Sequence, residues 1–201
     1  MNSQTPLDGV TPEDSGPRFP ALPREQWSEE VREAMQRWDA PFNFHKTLAH
    51  NPATLRNWIG FGEHILFQNA LSPRYREIAV LRVARNSRCD YEWGAHCRYA
   101  QHLGVLNLEE IERLLGAADN PKWSDAESAI VSGVDDLMST HMISQPIWQR
   151  LSRHYGAAEL VDLVFIIGNF NMLAMFMKSF RIELDPGLVP LPVDPTEAAR
   201  L

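Results

Sequence analysis

The chain has 201 residues, of which 44% are hydrophobic, and its formal net charge is −7. This length suits one ordinary domain with tails, and the apolar content is enough for a packed core. The acidic balance, without a lysine- or arginine-rich block, disfavours nucleic acid and anionic membranes as partners. The two cysteines are too few for a scaffold built on disulfides.

Both ends of the chain are predicted to be tails around one domain that spans residues 24–184. Residues 1–23 are rich in Pro, Gly, Asp and Ser, which is typical of a flexible arm. They show neither the positive nor the apolar region of a signal peptide, so we expect a cytoplasmic protein. Residues 185–201 hold a cluster of prolines and predict a second tail.

Between the tails, capping residues and terminators divide the chain into helices. Asn51 with Pro52 and Ser72 with Pro73 each supply an N-cap followed by a proline in the first turn. No segment alternates polar and apolar residues as a strand would. The fold class is therefore all-α, a single-domain bundle of about eight helices. The predicted helices cover residues 28–39, 52–70, 73–87, 90–104, 108–115, 125–140 and 145–155, and a last one follows Gly156.

The last helix contains an apolar run, residues 163–177, which resembles a membrane span. The run is shorter than the roughly 18 apolar residues that a span needs. It also contains Asn169 and Asn171. We interpret it as a core or subunit-interface helix and expect no membrane partner.

Reactive side chains concentrate in the helix that starts at Asp90. Glu92 and His96 are four residues apart and therefore project from one face. Cys89 precedes Glu92 by about one turn, on roughly the same side. Cys97 follows Cys89 by about 12 Å along a regular helix, which is too far for a disulfide between them.

Glu77 lies on the apolar half of the preceding helix, where a carboxylate needs a partner or changes its pKa. Consecutive helices joined by a short turn usually pack antiparallel, so Glu77 is expected to face Glu92 and His96. Two carboxyl groups and an imidazole in a partly apolar pocket can act as acid–base groups. Alternatively, Glu92 and His96 form an ordinary surface pair, and Glu77 pairs with a nearby arginine.

The run from Glu77 to Gly104 resembles the carboxymuconolactone decarboxylase and alkylhydroperoxidase D-like family. The peroxidase motif of this family is Glu, eleven residues, Cys-x-x-Cys-x-x-x-His, then Ala and Gly at intervals of four. Here Cys89 follows Glu77 after eleven residues, and His96 occupies the motif histidine. The resemblance implies an all-α alkylhydroperoxidase D-like fold. It also implies a homo-oligomer, either a trimer, a hexamer or a dimer.

The sequence departs from the peroxidase motif at Glu92, which replaces the second cysteine. Peroxidase chemistry in this family needs one thiol to attack the peroxide and another to resolve the sulfenic acid. The resemblance therefore points to the non-peroxidase branch, whose decarboxylases work on small lactone acids without a cofactor. We expect a decarboxylase, lyase or isomerase that uses Glu92 and His96, with Glu77 orienting His96 and Cys89 as a pocket wall or weak donor.

The expected substrate is a small organic acid, a lactone or an aromatic-derived compound. In this family the helix before the motif helices lines the same cavity. The expected substrate contacts are therefore Tyr91, Trp93, His64, Trp58 and Phe61, although aromatic residues at helical spacing are also typical of a core. Carboxylates and imidazole also suit divalent ions, but the resemblance implies neither a metal nor another cofactor.

Two alternatives to the acid–base enzyme remain open. A thiol-dependent hydroperoxide reductase would use Cys89 with an external thiol as the resolving partner. A non-catalytic binding protein would keep the fold without the chemistry.

Overall fold

The computed structural model describes residues 16–36 and 41–192. Within these residues the chain forms nine α-helices and no β-strand, which confirms the predicted all-α class. Most of the predicted N-terminal arm, and the predicted tail from residue 193, lie outside the described residues. The helices are α1 (Glu29–Ala34), α2 (Asn43–Leu48), α3 (Pro52–Glu63), α4 (Pro73–Ser87), α5 (Asp90–His102), α6 (Leu108–Arg113), α7 (Asp125–Thr140), α8 (Gln145–His154) and α9 (Ala157–Phe180).

The predicted capping residues begin these helices as expected. The Ser72 hydroxyl accepts a hydrogen bond from the backbone N–H of Tyr75 at the start of α4. Ser124 and Glu127 form a reciprocal capping box at the start of α7, and Asn107 forms another at α6. These bonds satisfy backbone donors that a helix leaves unpaired at its N-terminus.

The structure differs from the prediction at α2 and at the end of α3. α2 has no side-chain cap and only six residues, so local sequence gives little sign of it. Tertiary contacts fix it instead, because Asp185 accepts the backbone N–H of Asn43. The predicted helix over residues 52–70 is α-helical only to Glu63, after which residues 64–68 form a wider π-helical turn.

α4 lies at the centre of the core. Each of its residues from Arg76 to Ala84 is buried, and it packs against α5, α7 and α9. Buried Arg82 donates to both carboxylate oxygens of Asp135 at 2.7 Å and to two backbone carbonyls. This arginine therefore stabilises helix packing, and α4 forms a rigid support for Glu77.

A left-handed residue joins α4 to α5. Arg88 caps α4 with φ of 52°, and the N–H of Cys89 bonds to the carbonyl of Ala84. α5 thereby runs back along α4, as the short connection predicts.

The C-terminal segment, residues 183–191, packs across the other side of α5. The backbone N–H of Leu191 donates to Asp90 Oδ1 at 3.2 Å. A Cβ atom at Gly94 would lie 2.7 Å from the carbonyl oxygen of Val189. Glycine at residue 94 therefore permits the close approach of the segment to the helix.

Among the described residues, α9 is the one helix whose length and composition would allow it to cross a membrane. In its most apolar window 50% of the residues are buried within the protein. Core helices of soluble proteins also meet this criterion, so it does not by itself indicate a span.

Candidate active site

Glu77 and His96 are in direct contact between α4 and α5. Nδ1 of His96 lies 2.7 Å from Oε2 of Glu77, whose side chain is fully buried. The other oxygen, Oε1, accepts a hydrogen bond of 2.9 Å from Nε of buried Arg76. A carboxylate oxygen accepts, so this contact places a proton on Nδ1, and in the neutral imidazole the lone pair then lies on Nε2.

Glu92 lies one turn before His96 on α5 and is 1% exposed. No described residue forms a hydrogen bond with either of its carboxyl oxygens. Burial raises the pKa of Glu92 well above its ordinary value, because the apolar surroundings penalise the charged form. The site thus pairs a carboxyl group that favours the protonated form with an imidazole that is oriented by another carboxyl group.

Glu92 and His96 border a cavity of about 340 Å³. Most of its wall is apolar or aromatic, which is the usual composition of a small-molecule site with a few polar groups. The ring of Phe170 meets the ring of His96 edge-on, with centroids 4.8 Å apart. The lining side chains include Phe42, Phe44, Trp58, Leu66, Tyr99, Phe170 and Leu173.

Trp58 and Asn169 join two walls of the cavity. The indole N–H of Trp58 donates to Oδ1 of Asn169 at 3.1 Å. Asn169 is buried, and its Nδ2 has no partner among the described residues. The sequence identified this asparagine only as a polar interruption of the apolar helix. The signal that was available is that a buried asparagine in an apolar run needs hydrogen-bond partners.

Tyr91 also lines the cavity, and it links the cavity to the C-terminal segment. Its hydroxyl donates to Asp185 and accepts the backbone N–H of Phe44 at 3.3 Å. Burial and then the hydrogen bond to Asp185 raise the pKa of Tyr91. The tyrosine therefore stays a neutral phenol that is held in place by segments on both sides.

Cys89 is buried outside the wall of this cavity. It is the N-cap residue of α5, and its Sγ lies 3.8 Å from the sulfur of Met177. Burial first, and then the nearby Glu92 charge, raise the pKa of the Cys89 thiol to about 12. Cys97 is also a free thiol whose pKa is raised to about 12, by burial and by the Glu77 charge. Both groups are therefore poor sources of thiolate.

Three of the expected substrate contacts lie away from the cavity wall. Trp93 follows Glu92 on α5 and points into the core, because adjacent helical residues project in different directions. His64 faces Asp162 with a nitrogen–oxygen distance of 3.6 Å. Phe61 is exposed and packs edge-on against Phe165.

His45 and Arg98 line the cavity without having been predicted there. Burial lowers the pKa of His45 to about 3, so its ring is neutral over the physiological range. The guanidinium of Arg98 lies 5.4 Å above the ring of Phe42. No group of three or more His, Cys, Asp or Glu side chains in the described parts of the chain is arranged to hold a metal ion.

Comparison with known proteins shows which family the sequence around this site resembles. Residues 52–135, from the start of α3 into α7, match the sequence model of the carboxymuconolactone decarboxylase family. This region of the chain is therefore similar to that family. The match includes Glu77, Glu92 and His96, and it confirms the resemblance seen in the sequence. No curated protein matches the chain significantly.

Solved structures show the same fold at low sequence identity. An uncharacterized peroxidase-related protein with an alkylhydroperoxidase AhpD core, from Ralstonia eutropha JMP134, has a TM-score of 0.73 at 16% identity, covering 87% of this chain and 98% of that one. A peroxidase-related protein from Silicibacter sp. TM1040 has a TM-score of 0.72 at 16% identity, covering 89% and 96%. The debrominase Bmp8 has a TM-score of 0.70 at 15% identity, covering 84% and 92%. These similarities confirm the AhpD-like fold.

Proposed function

We propose that the protein is a small-molecule enzyme that works by proton transfer, of the decarboxylase, lyase or isomerase type. The observation that carries this proposal is the contact between Glu77 and His96 beside the buried carboxyl group of Glu92. A buried carboxyl group with a raised pKa, beside an imidazole that another carboxyl group orients, is typical of acid–base sites. A structure of the debrominase Bmp8 in complex with 2,3,4-tribromopyrrole supports the idea that this fold can hold a small ring compound.

In this proposal His96 is the base and Glu92 is the acid. Nε2 of His96 accepts a proton from the substrate, while Glu77 orients the ring and stabilises the imidazolium that forms. The neutral carboxyl group of Glu92 donates a proton to another atom of the substrate. Glu77 has no contact with the cavity, so it is a positioning residue.

The environment of Cys89 argues against the thiol-dependent hydroperoxide reductase. A peroxidatic cysteine needs a thiolate that the peroxide can reach. Cys89 is 1% exposed, and burial raises its pKa to about 12. The residue at the position of the second motif cysteine is Glu92, which cannot form a disulfide.

Solvent-deuterium exchange tests proton transfer before the natural substrate is known. The protein would be incubated in D₂O with a γ-lactone acid, an α,β-unsaturated acid and an aryl ketone, and loss of carbon-bound protons followed by NMR. We expect exchange into at least one compound, at a rate lowered by about 10²-fold or more in His96→Asn and Glu92→Gln. The control is Asn171→Leu on α9, a half-buried residue outside the cavity wall.

Hydroperoxide consumption separates the two enzyme classes. Wild type and Cys89→Ser would be given tert-butyl hydroperoxide with dithiothreitol. Consumption by the wild type that disappears in Cys89→Ser would favour the peroxidase, whereas the acid–base proposal expects equal background rates. An absence of both proton exchange and peroxide consumption would favour a binding protein.

We further propose that the protein forms a homo-oligomer through α9. Val161, Phe165, Met172 and Met175 are exposed apolar residues at helical spacing on this helix. Exposed apolar faces of this kind commonly mark protein–protein contacts.

A further inference from the structure

The amide of Asn169 is oriented by its hydrogen bond with Trp58. An indole N–H can only donate, so the oxygen of the amide must face it. Rotating the amide would place two donors against each other and lose this bond. The N–H groups of Nδ2 therefore point away from the indole, on a residue that lines the cavity, and no described residue accepts them.

Glu92 presents a second polar group that lacks a partner in the same cavity. Buried polar groups are nearly always hydrogen-bonded, so two that lack partners beside one cavity indicate a ligand that pairs with them. The neutral carboxyl group and the amide both offer hydrogens. Their ligand must therefore present an acceptor.

The rest of the cavity wall indicates the chemistry of the ligand beyond its acceptor group. Aromatic and aliphatic side chains surround the two donors, and they fit an apolar ring. The carboxyl and guanidinium groups at the wall are those of Glu63, Glu92 and Arg98. A single guanidinium beside two carboxyl groups does not suit a substrate with several carboxylates.

We propose that Asn169 is a substrate-binding residue, and that the cavity selects ring compounds whose carbonyl oxygen accepts hydrogen bonds from Asn169 and Glu92. This inference rests on the proposed proton-transfer function of the same site. When the C–H bond next to the carbonyl breaks, the proton moves to Nε2 of His96. The bonding pair forms a C=C bond, and the carbonyl π pair moves onto the oxygen. Donors placed at that oxygen stabilise the negative charge that develops there.

A pair of probes of similar shape tests the role of Asn169. Acetophenone carries a carbonyl group where α-methylstyrene carries C=CH₂. Their dissociation constants would be measured by NMR titration, following the indole N–H signal of Trp58. In Asn169→Leu, acetophenone should lose its hydrogen bond and bind more weakly, whereas α-methylstyrene should not. The ratio of the dissociation constant of α-methylstyrene to that of acetophenone should therefore fall by about three- to tenfold, which corresponds to one hydrogen bond. Asn171→Leu should leave this ratio at the wild-type value.

An unchanged ratio in Asn169→Leu would overturn the inference. It would also be overturned if wild type bound neither probe, or if the variant weakened both probes equally, because the residue would then serve packing alone. If Asn169→Leu does not fold, Asn169→Ala removes the amide without adding volume, and the same fall in ratio is expected. Because binding is measured without turnover, a lowered ratio in a protein that exchanges no protons would leave this inference standing and remove the proposed function.

Discussion

Glu77 holds the ring of His96 from the preceding helix, with Oε2 2.7 Å from Nδ1, although the two residues are 19 positions apart along the chain. The same carboxyl group accepts from Arg76, so the imidazole is fixed to the buried centre of α4. Glu92 lies on the helix of His96 but has no such partner. Two carboxyl groups near one imidazole thus differ in environment, which is how a site obtains an acid and a base from similar groups.

Replacing Glu77 by Gln should destabilise the protein, because the guanidinium of Arg76 would lose its charged partner in the core. Loss of one member of a buried ion pair costs about 3–5 kcal/mol. The measurement is urea unfolding. Glu109→Gln is the matched control, since Glu109 pairs with Lys122 at the exposed surface and its loss should change stability little. Equal effects of the two substitutions would contradict the buried pair as an important contact.

The orienting role of Glu77 can be separated from its effect on stability. In folded Glu77→Gln, deuterium exchange should fall by about 10- to 100-fold, by analogy with the carboxylates that orient metal-ligating histidines. Glu77→Asp should recover part of the rate, because it restores a carboxylate acceptor for Nδ1. A rate that follows only the folded fraction of each variant would show that Glu77 acts on stability alone.

The raised pKa of Glu92 predicts a specific pH dependence of stability. The folded state holds this proton more tightly than the unfolded state, so unfolding releases it at pH values between the two pKa values. Above about pH 4.3, the ordinary value for Glu, stability should therefore fall as pH rises towards the folded pKa.

Comparison of wild type with Glu92→Gln isolates this contribution, since other groups titrate alike in both proteins. As the pH rises, the unfolding free energy of wild type should fall relative to that of Glu92→Gln, by up to about 1.4 kcal/mol per pH unit. Chemical denaturation from pH 5 to pH 8 measures it. A difference that is independent of pH would mean that Glu92 keeps its ordinary pKa in the folded protein.

Local signals made most of the fold predictable, and their absence explains the exceptions. Ser72, Asn107 and Ser124 start helices through bonds to residues three positions later, so the sequence around them contains the whole signal. α2 depends on Asp185, which lies 142 residues from Asn43. No local pattern contains such a contact, and α2 was therefore not predicted.

The candidate site likewise contains residues that local spacing predicts and a residue that depends on a distant contact. Glu92 and His96 share a face because helical geometry fixes the direction of residues four apart. The spacing on two consecutive helices also placed Glu77 near them. Asn169 was not predicted as a site residue, because its orientation depends on Trp58, 111 residues away. The roles of all these residues in a reaction stay predictions.

Both thiols should react slowly in the folded protein. Burial raises the pKa of Cys89 and of Cys97 to about 12, so the thiolate fraction at pH 7 is about 10⁻⁵. Alkylation by iodoacetamide should be at least roughly 100-fold slower than for an exposed thiol, and guanidinium chloride should restore the rate. Mass spectrometry of timed samples measures each cysteine separately. Rapid labelling of Cys89 in the native protein would revive the peroxidase alternative.

Gly94 and Gly60 offer a matched pair for testing the packing of the C-terminal segment. A Cβ at Gly94 would lie 2.7 Å from Val189 O, whereas a Cβ at Gly60 meets nothing within 4 Å. Gly94→Ala should lower stability by about 1–3 kcal/mol through overpacking. Gly60→Ala should raise stability by up to about 1 kcal/mol, because alanine favours the helix. Thermal and urea unfolding measure both, and equal effects would show that the segment does not pack closely on α5.

The exposed face of α9 predicts self-association. Val161, Phe165, Met172 and Met175 recur at helical spacing, so they form one continuous apolar stripe. Phe165→Glu would place a charge in the proposed contact, and burying it there costs several kcal/mol. We therefore expect sedimentation velocity to show an oligomer for wild type, and mainly monomer for Phe165→Glu at the same concentration.

The matched control for the α9 face is Leu108→Glu on α6. Leu108 is an exposed apolar residue, like Phe165, but it lies outside the stripe. Its replacement should leave the oligomer intact, because the added charge remains in water. A wild-type monomer at tens of micromolar, or equal dissociation by Phe165→Glu and Leu108→Glu, would remove α9 as the contact surface. Dissociation by Phe165→Glu alone would assign the contact to α9 and explain why only 50% of its most apolar window is buried in one chain.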